Sequence, residues 1–483
     1  MRSRAKDLIY HHFIDKFLGK TGQYVGVEIE MPVVNLDKQP VKADFAQTML
    51  ELLVERFDFR PAKFTLEGFP IAVVNDNGDT CSFETSLNTL EFSMGRKRSI
   101  HEIAASFYNY LGALKKLEKK HNYRLCGMGT NPYAQYANST PLNTPSMMAK
   151  SEFLKRFTTH HDGEIFHAFS ASTQTHLDIS LPALPDLLNL LGKLAFVDGL
   201  LFANSLPFPH EQTSAWQAKL PLNLRQELEN PTVCFRDTLW RLCESPNTEA
   251  YDQEYRSLEE VVNRLMDLKL FVVRDGNDGF KPIQPVEFSK YFADHNNSEA
   301  DIVCFRSLEP IAVSKYGTVE IRQTCTQPLA EIFIPTAFYT GISENREKAR
   351  ALVDDFWRDN KLEMTNSELR RKAVCQETIV PQETMSLFLT NLVAISWEGL
   401  KKRNSGEENC LGRLIKGNNL MESPGKRQMR LLKDGLDYQD LILAYGEVEE
   451  YEHENGDESE SESESESELE VELDQPKPSR EAG

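Results

Sequence analysis

Four segments of this chain alternate apolar and polar positions with a period of two, and in each the polar side carries ionisable groups. They read GVEIE at 26–30, FETSLNTLEFS at 83–93, TQTHLDIS at 173–180 and GTVEIR at 317–322. In an extended strand every second side chain points the same way. The pattern therefore predicts Glu28 beside Glu30, Gln174 beside His176 and Asp178, and Glu320 beside Arg322. Val27, Ile29, Thr175, Leu177, Ile179, Val319 and Ile321 then face a core. Glu84 and Glu91 are an odd number of residues apart, which splits them across a straight strand. The intervening Thr85-Ser86-Leu87-Asn88 has turn-type residues, so a hairpin would return both to one side.

Elsewhere the period lengthens to that of a helix. Ile100, Ile103, Ala104, Phe107, Leu111, Leu114 and Leu117 follow a Ser99-Ile-His-Glu102 capping box, which predicts a helix of about six turns. Helices are also expected at 186–203, 256–270, 329–352 and 383–402. Strands and helices mix without a steady β-α-β rhythm, which predicts an α+β fold on an antiparallel sheet. The polar stretch 245–300, with DGNDG and NNSEAD, predicts loops inserted at the rim. Asn189, Lys193 and Asp198 interrupt the apolar run 187–203, so it reads as a buried helix and not a membrane span. The first 17 residues lack a continuous apolar stretch and read as an amphipathic helix, not a leader. The cytoplasm is the expected compartment.

Composition adds limits. The 483 residues are 40% hydrophobic, as in a soluble globular protein. Net charge is -20, but residues 447–474 hold 15 acids and no Lys or Arg, leaving 59 acids against 54 bases elsewhere. The alternating Ser and Glu of that tail have no apolar face to bury, which predicts a disordered, solvating segment over 447–483. Lys and Arg form no stripe, so neither a nucleic-acid partner nor a membrane partner is expected. The eight cysteines, at 81, 126, 234, 243, 304, 325, 375 and 410, show no CxxC pair. They read as reduced thiols rather than a zinc or disulfide framework. Residues 1–350 hold the candidate chemistry, and 351–446 are a helical part that either stands alone or packs on the same domain.

A sheet face that collects this many carboxylates is costly unless cations neutralise it. Glu28, Glu30, Glu84, Glu91, His176 and Glu320 are more ligands than one Mg2+ uses, so two or three ions around a triphosphate suit them. Arg322 offers a planar fork to a phosphate or carboxylate. Each element alone has a plainer reading. Most Glu-x-Glu pairs are solvated outer faces, and Glu320 with Arg322 makes an ordinary ion pair. Their joint occurrence, flanked each time by core residues, favours the site. Gly19-Lys20-Thr21 is no phosphate loop, because Ile14 occupies the required upstream glycine position. A helix-ending turn explains it better.

The ordered set of GVEIE, FETSLNTLEFS, CGMGTNPYA at 126–134, TQTHLDIS, FANS at 202–205, FRDTLW at 235–240, and Arg306 before YGTVEIR at 316–322 resembles the glutamate-cysteine ligase family. It is most similar to the bacterial carboxylate-amine ligase branch, over about residues 22–340. The resemblance implies a glutamine-synthetase-like catalytic domain whose antiparallel sheet forms a funnel backed by helices. It implies joining of the γ-carboxylate of glutamate to the amine of cysteine with ATP and Mg2+ or Mn2+, a step of glutathione biosynthesis. By position, Glu28, Glu30, Glu84, Glu91, His176 and Glu320 match metal-binding residues, and Glu320 and Arg322 would meet the nucleotide. Arg322, Arg306 and Arg236 match catalytic arginines. Asn131 stands where a histidine is common in the family, Met31-Pro32 follows GVEIE, 245–300 does not align, and the acidic tail is extra. These departures bear on acceptor choice more than on phosphate chemistry. Three readings stay open: a glutamate-cysteine ligase, a ligase of the same fold with another acid or amine, and a noncatalytic nucleotide- or metal-binding protein acting through its tail.

Overall fold

Alternating apolar residues build strands β1 (Val25–Asn35), β2 (Arg60–Phe64), β3 (Pro70–Val74), β4 (Thr80–Phe83), β5 (Thr89–Lys97), β6 (Tyr123–Leu125) and β7 (Thr173–Leu177). They are followed by β8 (Lys269–Asp275), β9 (Gly279–Glu287), β10 (Ile311–Val313) and β11 (Val319–Ile321). The structure is a computed structural model that describes residues 3–148, 151, 168–206, 232–237, 247–276, 279–305, 307–417 and 419–448. Nine strands form one sheet in the order β10-β11-β7-β1-β5-β4-β3-β2, with β6 paired to β1. Their pairings are antiparallel, so the α+β expectation holds.

One face of the sheet is the core. Val27, Ile29, Leu90, Phe92, Leu177, Val319 and Ile321 are buried there, as the alternation predicts. Helix Ile100–His121 covers it and sets Phe107 edge-on to Phe92 at 5.7 Å between ring centroids. Helix Ile334–Glu344 lies behind β7, with Thr336 Oγ1 3.1 Å from Thr175 Oγ1. Helix Gln382–Lys402 packs on Ile334–Glu344 backbone to backbone. A Cβ on Gly341 would lie 2.1 Å from the Ser396 carbonyl oxygen, so only glycine allows the approach. Residues Met1–Val448 cluster into one compact unit, while Glu449–Gly483, with the predicted solvating tail, lie outside the described residues, as does Cys243.

Several expected elements are revised. Helix Ile100–His121 has the predicted length, but its N-terminus is not closed by the local box. Ser99 Oγ accepts from His101 N–H at 3.0 Å, and Glu407 Oε1 accepts from Ile100 N–H at 2.7 Å. The run 186–203 is two helices, Leu184–Lys193 and Ala195–Phe202. The run 329–352 breaks at Asn345, whose side chain donates to the Ile395 carbonyl at 3.1 Å, into Ile334–Glu344 and Arg346–Asp359. Within stretch 245–300 the helix expected at 256–270 is present as Leu258–Asp267, and the remainder is not loop alone: it includes the β8–β9 hairpin, where Leu270, Phe271, Val272 and Val273 are buried. The N-terminal segment is helical from Arg4 and buries Leu8, Ile9, Phe13, Ile14 and Phe17, ending at Gly19 with φ +75°. Among the described residues no helix is long and apolar enough to cross a membrane.

Candidate active site

The register of four strands assembles the polar face. Residues directly opposite in a ladder share a side of the sheet. Glu30 on β1 faces Glu91 on β5, and Glu28 faces Ser93 on β5 and Gln174 on β7. His176 on β7 faces Gly26 on one side and Glu320 on β11 on the other. A Cβ at position 26 would lie 3.3 Å from the His176 Cβ, so glycine leaves room for the imidazole. The β4–β5 connection turns at Thr85, φ +59°, and Glu84 N–H donates to the Thr89 carbonyl at 3.0 Å. That turn resolves the odd spacing and sets Glu84 close enough to Glu91 to perturb its charge.

Within this face the side chains are tied to one another. His176 Nε2 is 3.2 Å from Glu28 Oε1 and its Nδ1 is 2.9 Å from Thr318 Oγ1. Glu30 accepts from Ser172 N–H at 2.7 Å, Ser172 Oγ at 2.9 Å and Gln174 Nε2 at 3.0 Å. Ser93 Oγ donates to Glu91 at 2.5 Å, and Arg322 Nη1 donates to Glu320 Oε1. Among the described residues Arg322 Nε–H meets no hydrogen-bond partner, so the guanidinium keeps a donor for a ligand.

Charge is unevenly shared. Burial, then the carboxylates of Glu84, Glu28 and Glu30, push Glu91 well above the ordinary glutamate range. Burial also opposes ionisation of Glu28, but His176, Arg322 and Lys315 outweigh it and hold Glu28 below its usual value. His176 moves oppositely: burial disfavours its charge, while Glu28 and Glu320 favour it and raise its pKa overall. The site thus holds a histidine–glutamate pair beside a carboxyl that resists ionisation.

All of this opens into one cavity of about 1180 Å³, lined by the five glutamates, His176, Arg236 and Arg322. Lys16, Lys20, Lys63, Arg96 and Lys315 also line it. Arg236 is buried, with its backbone N–H on Ser205 Oγ at 3.0 Å. Arg306 lies outside the described residues. Asp178 leaves the strand but stays at the cavity, where it takes Lys20 Nζ at 3.0 Å and Gly22 N–H at 3.2 Å and ties the N-terminal turn to β7. Asn131 faces inward: its amide donates to the Val33 carbonyl at 3.3 Å and accepts from Tyr133 N–H at 2.9 Å.

The donor set suits a divalent cation. Ligand atoms of Glu28, His176 and Glu320 all lie within 4.8 Å of one another, and Glu30 confronts Glu91 where like charges repel. Oxygen ligands with one imidazole match Mg2+ or Mn2+ better than a thiol-seeking ion.

No protein-family model and no curated protein sequence matches the chain. Solved structures that it is similar to include a glutamate–cysteine ligase from Francisella tularensis in complex with AMP. That likeness has a TM-score of 0.45 and 10% identity and covers 88% of each chain. A bifunctional glutathione synthetase from Pasteurella multocida gives a TM-score of 0.44 and 10% identity, over 92% of this chain and 52% of that one, so the present chain spans about half its length. The complex of the prokaryotic ubiquitin-like protein Pup with its ligase PafA gives 0.37 and 10%, over 90% and 74%.

Ser172, Ser93, Thr318 and Lys20 are site residues that sequence reasoning passed over. Thr318 had a signal, since it precedes Glu320 by two and so shares its face. Ser172 had none, because its place against Glu30 depends on where the chain enters β7.

Proposed function

We propose that this chain is an ATP-dependent carboxylate–amine ligase, and within that class a glutamate–cysteine ligase. The observation that carries the reading is the gathering of five carboxylates, one histidine and one arginine with donor capacity on one sheet face in one cavity. A carboxylate is a poor electrophile in water. Phosphoryl transfer to it makes an acyl phosphate, which an amine attacks with release of phosphate. Divalent ions bound by Glu28, Glu30, Glu84, Glu91, His176 and Glu320 would supply neutralisation of the triphosphate.

The protein's own groups do the rest. Arg322, anchored on Glu320, presents its fork to the transferring phosphoryl group and stabilises the charge that develops there. Arg236, which lines the same cavity, adds a second guanidinium. Glu30 is held by Ser172 and Gln174, so its oxygens are placed before any ligand arrives. The lysines at the cavity lining suit the free carboxylate of an amino-acid substrate. No cysteine nucleophile enters this scheme, and the described cysteines are free thiols, with Cys81, Cys126, Cys234, Cys304 and Cys325 buried.

The test incubates the full chain with ATP, Mg2+, L-glutamate and a panel of amines including L-cysteine, with mass detection of amide and assay of ADP. Formation of γ-glutamylcysteine is the expected result. Product with another amine keeps the ligase and moves the substrate, and absence of ADP and amide across the panel overturns the reading.

A further inference from the structure

The turn that joins β10 to β11 contains a hydrogen-bond chain that ends on His176. Ser314 Oγ accepts from Tyr316 N–H at 3.2 Å and Thr318 N–H at 3.3 Å, which occupies both of its lone pairs. Its single hydrogen is therefore directed to Thr318 Oγ1, 2.7 Å away. Thr318 Oγ1 keeps one lone pair and one hydrogen, and His176 Nδ1 lies 2.9 Å from it. The turn itself is rigid. Ser314 N–H donates to the Thr318 carbonyl at 2.9 Å, and Gly317, at φ +68°, abuts the Lys16 carbonyl so closely that a Cβ would lie 2.4 Å from it.

On the other side of the ring, Nε2 faces Glu28 Oε1, which as a carboxylate only accepts. Nε2 therefore carries a hydrogen when no ion is present. A cation shared by Glu28, His176 and Glu320 needs the Nε2 lone pair instead. The ring must then hold its hydrogen at Nδ1.

We infer that Thr318 is the positioning residue that holds the Nδ1 hydrogen of His176 and so leaves Nε2 free to ligate. Its hydroxyl oxygen, with one lone pair still open, accepts from Nδ1–H at 2.9 Å. Ser314 fixes that oxygen's location, because its own lone pairs are held by the turn's backbone. The role is of the kind an outer-shell hydrogen bond plays in setting which imidazole nitrogen is free to ligate. It rests on the reading of Glu28, His176 and Glu320 as ligands, and it assigns the neighbouring turn a function in that site.

Full-length protein labelled with 15N at histidine, with the wild type compared to T318V, T318S and E320Q, tests this. Mg2+ alone is titrated by calorimetry, and the 15N shifts of His176, assigned by its loss in H176Q, report which ring nitrogen is protonated. For the wild type, Mg2+ is expected to displace the hydrogen from Nε2 while Nδ1 keeps its own. T318V, which keeps the shape of the side chain, is expected to lower Mg2+ affinity by about 10–100-fold and to remove that 15N response, while T318S restores both. Wild-type affinity and an unchanged shift response in T318V overturn the role of Thr318 and leave the ion site standing. Equal Mg2+ binding by wild type and E320Q, or none by either, overturns the ion site and with it this inference. A structural role alone would change the melting temperature of T318V without the recovery of the 15N response in T318S.

Discussion

Glu91 is the residue whose replacement should stabilise the ion-free protein. It is buried, it faces Glu30 across the β1–β5 ladder, and its ionisation is opposed first by burial and then by Glu84, Glu28 and Glu30. Because its folded pKa lies above the unfolded value of 4.5, the folded chain keeps a proton over a pH range in which the unfolded chain has released it. The sign follows: the penalty is absent below about pH 4, grows as pH rises through the unfolded pKa, and levels off above the folded one. The greatest cost at pH 7, reached when the carboxyl stays protonated, is 1.36 kcal/mol for each pH unit above 4.5, or about 3 kcal/mol. Glu91→Gln keeps the acceptor for Ser93 and removes the charge, so it should add about 1–3 kcal/mol. Spread over the 448-residue compact unit, at about 2.1 cal/mol/K per residue, that is about 1–3 °C in Tm. The assay is differential scanning calorimetry in EDTA from pH 4 to pH 8, repeated in saturating Mg2+. The gain should vanish toward pH 4, and in Mg2+ it should shrink to near zero or reverse, since ion binding at 100 times Kd stabilises the wild type by about 2.7 kcal/mol. A variant less stable than wild type in EDTA at pH 7, or a gain that persists unchanged in Mg2+, refutes the reasoning.

Other expectations follow from the same geometry. Glu28→Gln and Glu320→Gln should each lower turnover more than about 100-fold while circular dichroism and Tm in EDTA stay within about 2 °C of wild type; unchanged activity sinks the assignment of these side chains. Arg322→Lys keeps the charge but loses the fork, so kcat should fall by about 100–1000-fold with a smaller change in KM for ATP, read from steady-state ADP release. Gly341→Ala drives a methyl into the Ser396 carbonyl and should destabilise by about 3 kcal/mol, seen as a lower Tm with ligand affinities intact in the folded fraction.

What was legible in the sequence is the part encoded by local periodicity. Alternation placed Glu28 with Glu30 and Glu320 with Arg322 on the polar side, because apolar neighbours at Val27, Ile29, Val319 and Ile321 fix which face each strand turns to the core. The same logic found helix Ile100–His121. Long-range pairing was not legible. That Glu30 meets Glu91, or that His176 stands between Gly26 and Glu320, follows from strand order, which no window of sequence contains. Helix breaks at Leu194 and Asn345 escaped for a related reason: periodicity continues across them, and the break at Asn345 is pinned by its bond to the Ile395 carbonyl in a distant helix. Polar composition suggested loops at 245–300, yet Leu270 to Val273 needed only a short apolar run to make a hairpin. Of the hydroxyl partners, Thr318 and Ser93 are marked only by their two-residue spacing from Glu320 and Glu91, and Ser172 by nothing, since serine and threonine serve caps and turns everywhere.

The central claim is activation of a substrate carboxylate by phosphoryl transfer in this cavity, and oxygen tracing tests it most directly. L-glutamate labelled with 18O in its γ-carboxylate is incubated with the full chain, ATP, Mg2+ and L-cysteine, and the released phosphate is examined by mass spectrometry. One 18O in phosphate for each amide formed is the result expected, because amine attack on the acyl phosphate breaks its acyl C–O bond and the phosphate departs with a carboxylate oxygen. Amide formation with unlabelled phosphate, or ATP cleavage with no label transfer, would contradict the account.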